Sequence, residues 1–299
     1  MLKTNHGEQI LKLTRHNAAA ITLEIPAKNK QKFTLMLSSD IHFDSVLCDI
    51  DLFTKHLRMA EEKQAPVLIA GDFFDAMQGH DDPRRSIEEL KTKYKVSHYF
   101  DAIVLEASEF LRQFKIPLYI IALGNHETSV LRKINTNLCE RLAYDLRLHQ
   151  QPAEAMGYWG YVRIMFKYNK GAGNGSKMLY YHHGSSTSAP VTRGVIQTAR
   201  QGAYLHAPDV VLNGHNHQAY CMPIQVERVS QKTMTPYTES VWYLRTPGYK
   251  MSPGDSLQTW GYGAERHRSS TPRGCMFLNL EYTHSQQDQV VAEISQNIS

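Results

Sequence analysis

Five short apolar runs in this 299-residue chain each end in a cluster of Asp, Asn or His. In chain order the clusters carry Asp40 and His42, Asp72 and Asp75, Asn125 and His126, His182 and His183, then His215 and His217. Carboxylate oxygen, amide oxygen and imidazole nitrogen suit divalent first-row ions such as Mn, Fe, Zn or Ni, and no thiolate joins them. Asp40/His42 and His215/His217 are spaced i, i+2, so in extended chain each pair projects to one side and can converge on a small volume. Two ions roughly 3.5–4 Å apart need a shared ligand, and a carboxylate bridges them while cancelling charge. Asp72 is the natural bridge. Val67-Leu68-Ile69-Ala70 reads as a buried strand and Gly71-Asp72 as its exit loop, which is where an open α/β sheet places ligand chemistry. Two carboxylates and a bridging hydroxide against two divalent ions leave a formally positive site, suited to a phosphate oxyanion.

Each cluster alone has an ordinary explanation. A Gly-Asp after a strand is usually a turn, and a buried His is usually a hydrogen-bonded core residue. Turn chemistry asks for Gly, Pro, Asn and Asp, however, and not for histidines set at the ends of successive strands. Taken together and in order, the clusters read as one site.

The elements that must hold these loops follow from the hydrophobic pattern. Buried strands are expected at 33–37, 67–70, 117–123 and 208–212, with a further strand at 20–25 pairing at a sheet edge. Helical patterns cover 49–64, with Ile50, Phe53, Leu57 and Ala60 on one face, and also 87–114, 129–147 and 191–205. Residues 158–168 and 177–181 read as two strands joined by a glycine-rich hairpin loop. Strand-like segments near 224–229, 241–244, 275–280 and 289–294 are expected to complete the second sheet. One domain spanning 1–299 is expected, with its motif-bearing core at 33–217, a helical insertion at 76–116 and a β-rich part at 218–299.

Composition bounds the rest. A hydrophobic fraction of 42% and a charged fraction of 21% are those of a globular chain that can bury a core. The net charge of +4 is compatible with a phosphate-bearing substrate and too weak to announce nucleic acid by itself. No run approaches the ~18 apolar residues of a membrane span, and the N-terminal residues have no apolar signal core. A cytoplasmic protein with no membrane partner is expected. Cys48, Cys139, Cys221 and Cys275 lack C-x-x-C spacing and read as reduced thiols.

The blocks Asp40-x-His42, Gly71-Asp72-x-x-Asp75, Gly124-Asn125-His126-Glu127, His183-Gly184 and Gly214-His215-x-His217 resemble the calcineurin-like metallophosphoesterase superfamily, in the family's order. The resemblance implies a four-layer α/β-β-α sandwich, with two mixed β-sheets flanked by helices. It implies one metal held by Asp40, His42, Asp72 and His217, and another held by Asp72, Asn125, His183 and His215. Mn is the expected ion, with Fe, Zn or Ni compatible. Of His182 and His183 it favours the one next to Gly, in keeping with side-chain alternation along a strand. His126 would stabilise the transition state and protonate the leaving oxygen, a metal-bridging hydroxide would attack phosphorus, and Asp75 would orient His126 or its neighbours.

The substrate is less directly written. Protein Ser/Thr phosphatases of the superfamily carry Asp-Arg-Gly after the second block, where this chain has Asp75-Ala76-Met77. That weighs against a phosphoprotein phosphatase and leaves a phosphodiesterase, including nucleases resembling the superfamily's DNA-repair exonucleases, or a small-molecule phosphomonoesterase, with the diesterase expected from the C-terminal residues that follow. Arg245, Lys250, Arg266, Arg268 and Arg273 interleave with Trp242, Tyr243, Tyr249, Trp260 and Tyr262, a mix suited to phosphate contact and base stacking in DNA or RNA, although an ordinary solvated β-face fits as well. Trp260-Gly261-Tyr262-Gly263 with Pro272-Arg273-Gly274 resembles phosphoesterases common in phage genomes. A scaffold that has lost catalysis is the alternative from another class, but such relatives usually lack ligands that are all present here.

Overall fold

Strands whose apolar residues alternate or run unbroken assemble into two stacked sheets, and helices with one apolar stripe cover them. The computed structural model describes residues 11–76, 90–167, 174–184, 192, 194–206, 208–230, 233–251, 271–284 and 289–299. One sheet holds β1 (Lys12–Asn17), β2 (Ala20–Pro26), β7 (Trp159–Lys167), β8 (Asn174–His182), β9 (Val210–Asn213), β10 (Tyr220–Val229) and β11 (Pro236–Arg245), in the order β1-β2-β7-β8-β9-β11-β10. The other holds β3 (Gln31–Ser38), β4 (Val67–Ile69), β5 (Tyr119–Ala122), β6 (Ala153–Met156), β12 (Gly274–Thr283) and β13 (Gln289–Ile298), in the order β13-β12-β3-β4-β5-β6. Both are mixed: β3 to β6 run parallel while β12 is antiparallel to β3, and β8 is parallel to β9 but antiparallel to β7.

The unbroken apolar runs have a direct cause. In β4, Leu68 faces the other sheet, beside Leu35, Leu37, Ile120, Leu212 and Leu244. Val67 and Ile69 face the opposite way, into a core shared with Phe53, Leu57, Ile103, Leu111, Leu142 and Leu146. A strand covered on both faces has no polar side to alternate with. The second core lies under α1 (Ile50–Glu62), α2 (Tyr99–Leu111) and α4 (Leu138–Leu148). On the far side of the seven-stranded sheet, α5 (Val195–Tyr204) is tied down by a reciprocal amide pair, Gln201 with Asn213, at 2.9 Å in each direction. The result is the four-layer α/β-β-α arrangement. Among the described residues no helix is long and apolar enough to cross a membrane.

Several elements differ from expectation. The strand expected at the edge, β2, lies between β1 and β7, because the polar segment before it pairs as an outer strand. The C-terminal strands do not complete a single sheet. β10 and β11 join one and β12 and β13 the other. The single helix expected at 129–147 is two, α3 (Asn125–Ile134) and α4, since Asn135 at φ 53° closes the first and the Asn137 side chain caps the second. The helical pattern at 87–114 contracts to α2, with Leu90 in a β-bridge to Ser45; residues 77–89, most of the polar loop and the start of that pattern, lie outside the described residues.

Register sets the site. Ser38 aligns with Ile69, and Ile69 with Ile121, while His182 aligns with Asn213. The loops after β3, β4, β5, β8 and β9 therefore leave the two sheets at one common end.

Candidate metal centre

The loops that leave those strands turn sharply, and the residues that could hold ions sit on the turns. Asp40, His42, Asp72, His215 and His217 have φ between 51° and 77°, the left-handed region. For side chains other than Gly this conformation costs of order 1–3 kcal/mol per residue and persists where surrounding structure demands it. Five such residues in one small volume mark a site built for function rather than for stability.

Two triads result. Asp40, His42 and His217 bring donor atoms within 4.8 Å of one another, and so do Asp72, His183 and His215. His183 is fully buried; its Nδ1–H donates to the Ala70 carbonyl at 2.8 Å, which presents Nε2 to Asn125 Oδ1 at 3.0 Å and Asp72 Oδ2 at 3.1 Å. His215 Nδ1 lies 2.7 Å from the same Asn125 oxygen, and His217 Nε2 lies 3.6 Å from Asp40 Oδ1. His182 faces away, its Nδ1 accepting from the Gly184 N–H at 2.9 Å. Asp72 groups by distance with the second triad only.

His42, Asp75 and His126 form a third close group. Asp75 Oδ1 lies 2.7 Å from His42 Nδ1 and 3.3 Å from Lys250 Nζ. The Asp75 main-chain carbonyl accepts from His126 Nδ1, so the His126 Nε2 faces inward, 3.7 Å from Asp72 Oδ2. Asp75 thus engages His42 through its carboxylate and His126 mainly through its backbone.

Other groups brace these loops and were not singled out from sequence. Glu127, fully buried, accepts from the N–H groups of Gly124 at 2.9 Å, Phe74 at 2.9 Å and Asp72 at 3.2 Å, and so ties the second loop to the third. Its position, third into α3 and reaching back to the N-cap, is the readable signal. Asp44 accepts from the Asp75 and Ala76 N–H groups at 2.6 and 3.0 Å and from the Tyr99 hydroxyl. Its signal is the continued alternation Asp40-x-His42-x-Asp44. Gly124 permits the closest approach: a Cβ there would stand 2.1 Å from Asp72 Oδ1. Glu127→Ala would leave three buried donors without an acceptor. At about 1–3 kcal/mol for each such group, urea unfolding is expected to show a loss of several kcal/mol, and a loss below about 1 kcal/mol would contradict this role.

The donor set fits divalent cations. Asp40 Oδ1 and His42 Nε2 are buried and have no hydrogen-bond partner among the described residues, and buried polar atoms are otherwise nearly always paired. Charge points the same way. Burial would raise Asp72, but His183, His126 and His42 hold its carboxyl well below the usual range. Burial would lower His183, yet Asp72 and Asp40 push it up to about 10. Burial lowers His217 to about 4 and, with help from His183, also lowers His215, so both are neutral donors. In the metal-free chain the His183 proton is the cation between the carboxylates. A raised His pKa stabilises the folded chain fully below the unfolded value near 6.5 and ceases to do so as pH rises through about 10. The melting temperature of the metal-free protein is therefore expected to fall between pH 7 and pH 10. A flat profile would contradict this charge balance.

The C-terminal basic and aromatic residues require correction. Arg245, Tyr243 and Tyr249 are buried, because β11 is an interior strand and the loop after it packs under Asp40. They offer no stacking platform. Thr246 Oγ1 meets Ser39 Oγ at 2.7 Å, Ser39 Oγ hydrogen-bonds Asp40, and the Tyr249 N–H donates to the Asp40 carbonyl at 2.9 Å. Arg273 pairs with Asp49 at 3.3 Å. Trp260, Tyr262, Arg266 and Arg268 lie outside the described residues.

Residues 33–219 match the family model described as calcineurin-like phosphoesterase. Among solved structures the chain is similar to Vps29 of Chaetomium thermophilum, at 8% identity and a TM-score of 0.38, over 88% of this chain and 95% of that one. It is also similar to a structure titled GAP50, the anchor in the inner membrane complex of Plasmodium, at 11% identity and a TM-score of 0.39, over 89% and 84% of the two chains. No curated protein matches the chain by sequence.

Proposed function

The chain belongs to the calcineurin-like phosphoesterase family, and on that premise we propose that it is a dinuclear-metal phosphodiesterase acting on nucleic acid or a nucleotide-like diester. The observation that carries the proposal is the pair of Asp/His triads, Asp40-His42-His217 and Asp72-His183-His215, with His126 turned toward them. Asp40, His42 and His217 would hold one ion, Asn125, His183 and His215 the other, with Asp72 between them. When bound, such ions polarise the phosphoryl group and supply a nucleophile from water near neutral pH.

The chain's own residues would do the rest. His126, fixed by its Nδ1–H to the Asp75 carbonyl, presents Nε2 to the reacting phosphate. In its protonated form it would stabilise the developing charge and pass that proton to the leaving oxygen. Asp75 is a positioning residue, setting His42 through Oδ1. Burial alone would raise it, but Lys250, His42 and His126 keep it a carboxylate. Glu127 holds the Asp72 loop in place through main-chain N–H groups.

Charge supports a diester over a monoester. Position 76 is Ala, and Lys250 already faces Asp75. Neither of these two positions grips a phosphate with added positive charge, which favours one negative charge over a dianion at the ions. Hydrolysis of an aryl diester, an aryl monoester, and single- and double-stranded DNA should be compared with Mn²⁺ supplied. The diester and at least one form of DNA are expected to be preferred. Preference for the monoester would overturn the reading in favour of a phosphomonoesterase, and bound metal with no hydrolysis would return the scaffold.

A further inference from the structure

We propose that Arg245, Asn216 and the N-terminus of α5 form a second oxyanion site, beside the metal centre, that takes a phosphate group. Arg245 ends β11 opposite Asn213 of β9 and is only 1% exposed. Among the described residues its guanidinium meets one side-chain acceptor and one aromatic ring. Nη2 donates to Gln197 Oε1 at a long 3.4 Å, and the Tyr220 ring centre lies 5.4 Å from Cζ. Neither carries a negative charge, and Nε is buried with no hydrogen-bond partner among the described residues. A buried cation without a counter-charge is strongly unfavourable.

Its surroundings deepen the imbalance. Nη1 lies against Gly194, the N-cap of α5, so closely that a Cβ there would stand 2.5 Å from it. The start of this 10-residue helix has no side-chain cap; its Val195 N–H donates to the Thr192 carbonyl at 2.8 Å and its Gln197 N–H to the Gly194 carbonyl at 3.2 Å, so what it adds here is the positive end of the helix dipole. Asn216 Nδ2 would stand 2.8 Å from the same added Cβ and likewise has no hydrogen-bond partner among the described residues. Guanidinium and amide thus converge on Gly194, at φ +84°, and among the described residues Arg245 Nε and Asn216 Nδ2 have no acceptor. Residues 185–194 contribute no Asp or Glu to the sequence. An oxyanion supplies both the acceptors and the charge. Asn216 and Gln197, flanking the guanidinium, are partly exposed.

Asn216 stands between His215 and His217, so this site shares a loop with the metal centre. A substrate with one phosphate at the ions could place its neighbouring phosphate here; free inorganic phosphate is the other source with the same chemistry.

Calorimetric titration of the full chain with inorganic phosphate tests the site. Two classes of binding are expected, one abolished by chelator and one resistant to it. In Arg245→Met the chelator-resistant affinity is expected to fall about tenfold or more. Absence of chelator-resistant binding in the wild type, or equal affinity in the variant, overturns the proposal. Should Arg245→Met not fold, Asn216→Ala decides by the same criterion: weaker chelator-resistant binding supports the site, and unchanged affinity overturns it. Cleavage of dithymidylate with and without a 5′-phosphate separates the sources. A wild-type preference for the 5′-phosphorylated form that falls in Arg245→Met assigns the site to a substrate phosphate, and no preference, or one unchanged in the variant, with lost phosphate binding assigns it to free phosphate. This kinetic arm rests on the diesterase reading. If the wild type cleaves neither dithymidylate, that reading fails, while the binding arm still decides the site.

Discussion

Asp72→Ala is expected to abolish hydrolysis, by more than about 10³-fold, and to remove most bound metal as measured by elemental analysis. The size follows from how many groups one carboxylate serves. Oδ2 faces His183 at 3.1 Å and His126 at 3.7 Å, while Oδ1 accepts from the His126 N–H at 3.0 Å. Removing it would take away the proposed bridge, the charge facing His183, and an anchor of the loop bearing His126. The Ala variant carries a second burden, because Asp72 has φ 51° and Ala tolerates the left-handed region less well than Asp or Asn. Asp72→Asn separates these effects, keeping the backbone preference and an acceptor for the His126 N–H while removing the charge. It is expected to fold like the wild type and still lose the second ion. Two ions retained at full occupancy in either variant would sink the bridging assignment.

His126→Ala should behave differently. Turnover is expected to fall by roughly 10²–10⁴-fold with metal content unchanged, since the role proposed for this side chain is toward the reacting phosphate and not the ions. The Nδ1–H is committed to the Asp75 carbonyl, which leaves Nε2 as the nitrogen that exchanges a proton. An acid matters most when the departing oxygen is a poor leaving group. The loss should therefore be larger for an alkyl ester than for a nitrophenyl ester. An equal loss on both would reduce His126 to a charge stabiliser, and an unchanged rate would remove it from catalysis.

How far the sequence foretold this arrangement differs from residue to residue. The strands before the clusters were legible because burial on both faces leaves unbroken runs such as Val67-Leu68-Ile69. The i, i+2 spacing of Asp40 with His42 was legible too, but for an incomplete reason. Convergence by that spacing assumes extended chain, whereas both residues have left-handed φ, a conformation that local composition does not announce. Glu127 and Asp44 escaped notice because their partners are main-chain N–H groups on other loops, and such pairings exist only once the sheets have brought the loops together. Tyr243 and Tyr249 mislead by type. Aromatic residues near a phosphoesterase site suggest a base-stacking surface, yet strand order and the loop that follows bury both.

Strand order has a consequence for modularity as well. Every residue of the two triads lies within 33–219, the block that matches the family. That block is not a transferable cassette. β12 is the hydrogen-bonded neighbour of β3, and β11 of β9, so the two strands feeding the Asp40 and His215 loops each lean on chain from beyond residue 219. Gly248 packs so closely that a Cβ there would stand 2.7 Å from the Asp40 Cβ, and Lys250 reaches Asp75. Grafting the motif-bearing block onto another tail would carry over all the ion-facing side chains and still alter the shape of the cage. Variation confined to 245–251 can therefore retune the chemistry without touching a single motif.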